Sequence, residues 1–140
     1  SSITRLIDMG VEPFLVASSL IMLCAQRLCR KICLKCRKPV DIPADYLEKI
    51  GFKERNVTFY QAQGCKYCNN TGFYGRIAIL EAVMIDDAIR EMIIKKESLD
   101  AIKKYAVEKC GMVTLQDDAF LKVKEESTTL EEALRITSED

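Results

Sequence analysis

Two CxxC pairs, Cys33 with Cys36 and Cys65 with Cys68, constrain this chain more than any other feature, with residues 37–64 between them. Two residues between cysteines form a tight turn that aims both thiolates at one ion. Two such turns complete the tetrahedral four-sulfur shell that zinc accepts without redox chemistry. Gly64 before the second pair, and Asn69, Asn70 and Gly72 after it, are residues that such a turn uses. Cys33, Cys36, Cys65 and Cys68 are therefore read as ligands of one structural zinc. With all four positions filled by protein, no open site is left for water or substrate. The ion's task would be to fasten the segment 33–68, which is short of aliphatic core. Two disulfides or four unconnected thiols are the alternatives. A thiol oxidoreductase is a further one, although a redox CxxC usually stands alone at a helix start after a strand.

The chain has seven cysteines, so at least one cannot pair internally. Cys24 and Cys29, in an apolar helix, and Cys110, just before Gly111, read as small buried hydrophobes. Cys29, four residues before Cys33, is the one competitor for the metal. No histidine is present, which excludes Ser/His and Cys/His catalysis and histidine-ligated metals in this chain. Lys plus Arg and Asp plus Glu are both 21, so no net charge holds the chain on nucleic acid or an anionic membrane. Binding of that kind would need a local patch. The 140 residues allow one domain or two small ones, and 49% hydrophobic with 30% charged is a globular balance. Without an initiator Met or a signal pattern, the chain is expected to be a piece of a longer protein. The longest uncharged run, Pro13 to Gln26, has 14 residues, short of the ~20 a membrane span needs. It reads as a buried helix of a cytosolic protein.

Along the chain, Ile3, Leu6 and Ile7 recur at helical spacing before Gly10, and Pro13 opens a second helix reaching about Arg30. Its small residues Ala17, Ser18 and Ser19 would let another backbone approach, while Leu15, Leu20, Leu23 and Leu28 add bulk. Residues 43–50 read as a short helix ended by Gly51, and 57–61 and 77–83 as strands. Four short helices follow Asp86, with Ser98, Thr114 and Thr129 as N-caps. The predicted fold class is mainly α with a small β element, a zinc-stapled tetracysteine region followed by a small C-terminal helical bundle.

Six basic residues, Arg27, Arg30, Lys31, Lys35, Arg37 and Lys38, crowd residues 27–38 without an acid. Beside a zinc knuckle they could hold phosphates while Tyr67, Phe73 or Tyr74 stacks on bases. A zinc-ribbon nucleic-acid module is thus the second functional reading, against a solvated face or a protein-docking surface. No Gly is followed by Lys, so no GxxxxGK phosphate loop exists and this chain alone should not hydrolyse ATP. Asp86 with Asp87, and Asp117 with Asp118, are adjacent and point apart on a helix, as caps and solvated faces do.

The run from Arg5 to Leu15 (RLIDMGVEPFL), the stretch Ala25 to Leu28, the two CxxC pairs, the segment Thr71 to Ile77 with Glu81, and Thr129 to Arg135 occur here in collinear order. In these the chain resembles the region after the nucleotide-binding core of the type II secretion and type IV pilus assembly ATPases. The resemblance implies the C-terminal part of a hexameric cytoplasmic motor that drives pilus or pseudopilus assembly at the inner membrane. Residues 1–31 would then be a helical end of the ATPase core, 32–84 the tetracysteine region and 85–140 a helical subdomain. It also implies that ATP and Mg belong to the longer parent, because the Walker motifs would lie upstream. Arg76 would lie near the nucleotide of the assembled motor, or pair with a carboxylate such as Glu81. Implied partners are the membrane-embedded platform protein and neighbouring ATPase subunits, with the location cytoplasmic and peripheral at the inner membrane.

Overall fold

A computed structural model describes residues 5, 7–13 and 22–138. Of the predicted first two helices, Ile3, Leu6 and residues 14–21 lie outside the described residues. Near the start, Met9 N–H donates to Arg5 O and Gly10 N–H to Ile7 O, both at 3.0 Å, and Gly10 ends the turn at φ +93°. This is the predicted stop.

The described elements are β1 (Met22–Ile32), β2 (Lys38–Val40), α1 (Ala44–Ile50), β3 (Phe59–Gln61), β4 (Phe73–Met84), α2 (Asp87–Ile94), α3 (Leu99–Lys109), α4 (Leu115–Lys124) and α5 (Leu130–Thr137). β1 pairs with β4, and β2 pairs antiparallel with β3 in the register Lys38 to Gln61, Pro39 to Tyr60 and Val40 to Phe59. The fold differs from the mainly α class, with a C-terminal helical bundle, that the sequence pattern predicts. β4, with 12 residues, is the longest described element, and β1, with 11, equals the longest helix. The chain is not mainly α.

The predicted helix running to Arg30 is a strand over Met22–Ile32. Its leucines are spaced as on a helix, but the strand buries Cys29 and Ile32 instead. Arg27 and Cys29 turn to one side, where Arg27 Nη1 donates to Ile136 O at 2.6 Å and Cys29 is fully buried, while Leu28 stands exposed between them. Pairing with β4 overrides the helical spacing, since strand preference is set by neighbours rather than by the residue itself.

The four last helices do not form one bundle. They divide between two compact units, one made of the described residues up to Ala25 with Glu81–Thr114, the other of Gln26–Leu80 with the described residues from Leu115 onward. In the first unit Ile85, Ile89, Ile93, Ile102, Ala106 and Met112 form an aliphatic core. In the second, Phe52 meets Phe59 at 5.3 Å and Phe120 at 5.0 Å, both tilted, and Ile79, Val123, Leu130 and Ala133 complete the core. Asp86, Ser98 and Thr129 cap α2, α3 and α5 through their side chains, as their positions predicted. Gly51 closes α1 at φ +80°, again as predicted.

Candidate metal centre

The first knuckle follows β1 directly, and the second lies just before β4. In the first, Arg37 N–H donates to Cys33 O at 3.2 Å. In the second, Asn70 N–H donates to Cys65 O at 2.8 Å and Thr71 N–H to Cys68 O at 3.2 Å, with Asn69 and Asn70 both at positive φ. Asn tolerates that region better than most side chains, which explains the pair. A hydrogen bond from Cys33 N–H to Gly72 O, 2.9 Å, ties one knuckle to the other.

The four Sγ atoms lie within 4.8 Å of one another. Cys33 to Cys65 is 3.8 Å, Cys36 to Cys68 is 3.9 Å and Cys65 to Cys68 is 3.7 Å. Sulfurs about 2.3 Å from one tetrahedral ion are about 3.8 Å apart, so the donor set fits a four-thiolate metal without rearrangement. No pair is disulfide-bonded.

Backbone N–H groups support the sulfurs. Gly64 donates to Cys36 Sγ at 3.3 Å, and Cys65 and Gly72 donate to Cys68 Sγ at 3.3 and 3.2 Å. Burial pushes the Cys68 thiol up, but those two N–H groups and the neighbouring thiols outweigh it and bring it down to about 6. Cys36 goes the other way, to about 11, raised by burial and by the three other cysteines against the Gly64 N–H. Both glycines must stay glycine. A Cβ at Gly64 (φ +116°) would stand 2.9 Å from Asn70 O, and one at Gly72 (φ +83°) would collide with Ala62 Cβ.

The base of the first knuckle is held by a buried carboxylate. Glu132 is 2% exposed and accepts from Arg30 N–H at 3.0 Å, Arg30 Nε at 3.2 Å, Arg30 Nη2 at 3.1 Å, and Arg135 Nε and Nη2 at 2.8 and 2.9 Å. Burial pushes its carboxyl up, but the two guanidinium groups hold it down at about 2. The signal that could have found it is the spacing from Thr129 to Glu132, the capping-box spacing, where Thr129 Oγ1 indeed accepts the Glu132 N–H at 3.0 Å. Arg30 also lies 4.1 Å from the Phe73 ring, just beyond the second knuckle.

Much of the basic cluster is therefore used internally. Arg27 binds a helix carbonyl, Arg30 binds Glu132, and Arg37 lies 3.6 Å from Glu126 and 4.0 Å from the Tyr60 ring. Tyr67 stacks on Tyr74 at 4.5 Å and Lys35 lies 5.5 Å from the Tyr67 ring. Cys29 stays out of the metal cluster, donating to Thr128 Oγ1 at 3.3 Å. Cys24, expected buried, is exposed on β1, and Cys110 is half-buried with its Sγ 3.5 Å from Asp86 Oδ2. Arg76 is exposed on β4 and lines a small cleft with Arg30, Thr71, Phe73 and Gly75. Glu81 lies 3.9 Å from Lys103 Nζ.

The family model described as type II/IV secretion system protein matches residues 1–135, a span that includes both knuckles and α5 up to Arg135. The chain belongs to that family. Among its relatives, the type II secretion system ATPase E of Vibrio cholerae is 37% identical over 99% of this chain and 27% of its own length. The type IV pilus assembly ATPase PilB of Thermus thermophilus is 40% identical over 99% of this chain and 16% of its own. The type II secretion system protein E of Pseudomonas aeruginosa is 37% identical over 99% of this chain and 28% of its own. This member of the type II/IV secretion family thus spans about a quarter or less of the relatives it matches. Among its described residues, no helix is long and apolar enough to cross a membrane.

Proposed function

We propose that the chain is an accessory, non-catalytic part of a hexameric cytoplasmic ATPase that powers type II secretion or type IV pilus assembly. Its four cysteines hold one structural zinc, and its surface serves contacts with neighbouring subunits and the inner-membrane platform protein. ATP and Mg are bound by the rest of the parent, with Arg76 near the nucleotide. The observation that carries the reading is the convergence of four sulfurs at tetrahedral spacing in a chain of this family. Zinc fits because a closed thiolate shell needs neither an open coordination position nor a redox-active metal. Arg76 is exposed on β4, where a group outside this chain can reach it.

The nucleic-acid reading draws no such support, because Arg27, Arg30 and Arg37 and the Tyr67–Tyr74 pair are engaged within the chain. Two measurements test the proposal. The isolated chain should show no ATP turnover while the full-length protein does, and a platform cytoplasmic domain should capture the full-length protein less well when Lys35 and Lys38 are reversed to Glu. Turnover by the chain alone contradicts the accessory role. Undiminished capture contradicts docking through the basic cluster.

A further inference from the structure

The four sulfurs of the centre are not equivalent. Cys68 Sγ accepts two backbone N–H groups and Cys36 Sγ accepts one. Among the described residues, neither Cys33 Sγ nor Cys65 Sγ receives a backbone N–H; each is met only by neighbouring sulfurs. Cys33 is fully buried, whereas Cys65 is half-buried. A hydrogen bond to a thiolate draws on its charge and is weakened when that sulfur attacks an electrophile, so a shielded sulfur reacts more slowly. Solvent access and an unshielded lone pair coincide only at Cys65.

We propose that Cys65 is the modification site of the centre, the sulfur at which a peroxide opens the four-cysteine shell; this rests on the zinc reading above. The Cys65 thiolate attacks one peroxide oxygen. An S–O bond forms as the O–O bond breaks, hydroxide leaves, and the sulfur is oxidised to a sulfenic acid while the peroxide is reduced. Cys33 Sγ, 3.8 Å away, or Cys68 Sγ, 3.7 Å away, then attacks that sulfur, and hydroxide departs as the disulfide forms. Two sulfurs remain, which cannot fill a tetrahedral shell, so metal affinity collapses.

The test starts from zinc-loaded chain whose metal content has been measured by elemental analysis. Substoichiometric N-ethylmaleimide is added and the adducts are placed by peptide fragmentation, with exposed Cys24 as the reference thiol. Labelling of Cys65 about tenfold faster than Cys36 is expected, the size of effect that one hydrogen bond to a charged group gives. Limiting hydrogen peroxide, with a chromophoric zinc indicator present, should release zinc as disulfides containing Cys65 appear. Labelling of Cys36 as fast as Cys65, or a first disulfide that omits Cys65, overturns the proposal and leaves the zinc reading standing. Chain that retains no zinc after reconstitution overturns both.

Discussion

The two units of this chain solve the same problem by different means. The unit containing α2 and α3 is held by aliphatic packing, with Ile89 and Ile93 almost wholly buried against Ile102 and Ala106. A carboxylate of this unit, Asp86, sits at a helix start, where it accepts from Ile89 N–H at 2.8 Å and Tyr105 Oη at 2.8 Å. The unit containing the knuckles instead buries a carboxylate between two arginines and gathers four thiols that only a cation can satisfy as thiolates. Between the knuckles, Phe52 and Phe59 join the unit's core with Val40, Ile42, Leu47, Ile50 and Val57 packed against it, while the two knuckles themselves meet through sulfur. The difference teaches that one chain can gather its metal-ligating side chains in one unit and build the other on aliphatic packing.

The sharpest way to break this contrast is to remove the metal. Chelation, or the double substitution Cys33→Ser with Cys36→Ser, should abolish amide-exchange protection across residues 26–80. Protection in α2 and α3 should persist. Structural zinc contributes on the order of 10 kcal/mol of coupled folding energy, so this is the largest effect. Equal loss in both units would erase the distinction between them.

Next in size is Glu132→Gln, which leaves two guanidinium groups without their anion. Because Arg30 and Arg135 are about half-exposed and can rehydrate, a loss of about 3 kcal/mol is expected in urea unfolding. The pH dependence follows from the same group. Its folded carboxyl lies at about 2 against an ordinary 4.5, so its contribution is complete above about 4.5 and is lost as pH falls from there towards 2. The substituted chain should lack that part of the acid loss, read as the difference between the two titrations.

Two glycine substitutions sharpen the comparison further. Gly72→Ala combines positive φ with a collision against Ala62 and should cost about 2–3 kcal/mol. Gly111→Ala, in the aliphatic unit, has a similar φ of +67° but open space around the new Cβ, so only the backbone cost of about 1 kcal/mol applies. Of similar size is Asp86→Ala, the loss of an N-cap, at about 1 kcal/mol with unchanged metal content. The Asp86 carboxyl is held below its usual range by the Ile89 N–H and then by the Tyr105 hydroxyl, so this cap too weakens in acid.

Features with local causes were legible in the sequence. The CxxC spacing, the caps at Asp86, Ser98 and Thr129, and the Gly51 stop each depend on a few neighbouring residues, and the structure has them where they were expected. β1 was not legible, because its strand character comes from β4, more than forty residues further along. Glu132 was missed for a related reason. Its burial is made by Arg30, 102 residues away in sequence; the Thr129 to Glu132 capping-box spacing marks its position but says nothing of that partner. The division of the last four helices between two units likewise depends on which distant residues each apolar face meets.

The most direct test of the zinc centre is elemental analysis of the untagged chain, with free thiols counted before and after chelation. One zinc per chain, with four further thiols titrating rapidly and in full once the metal is removed, is the expected result. No metal, with Cys33, Cys36, Cys65 and Cys68 found as disulfides, would contradict it.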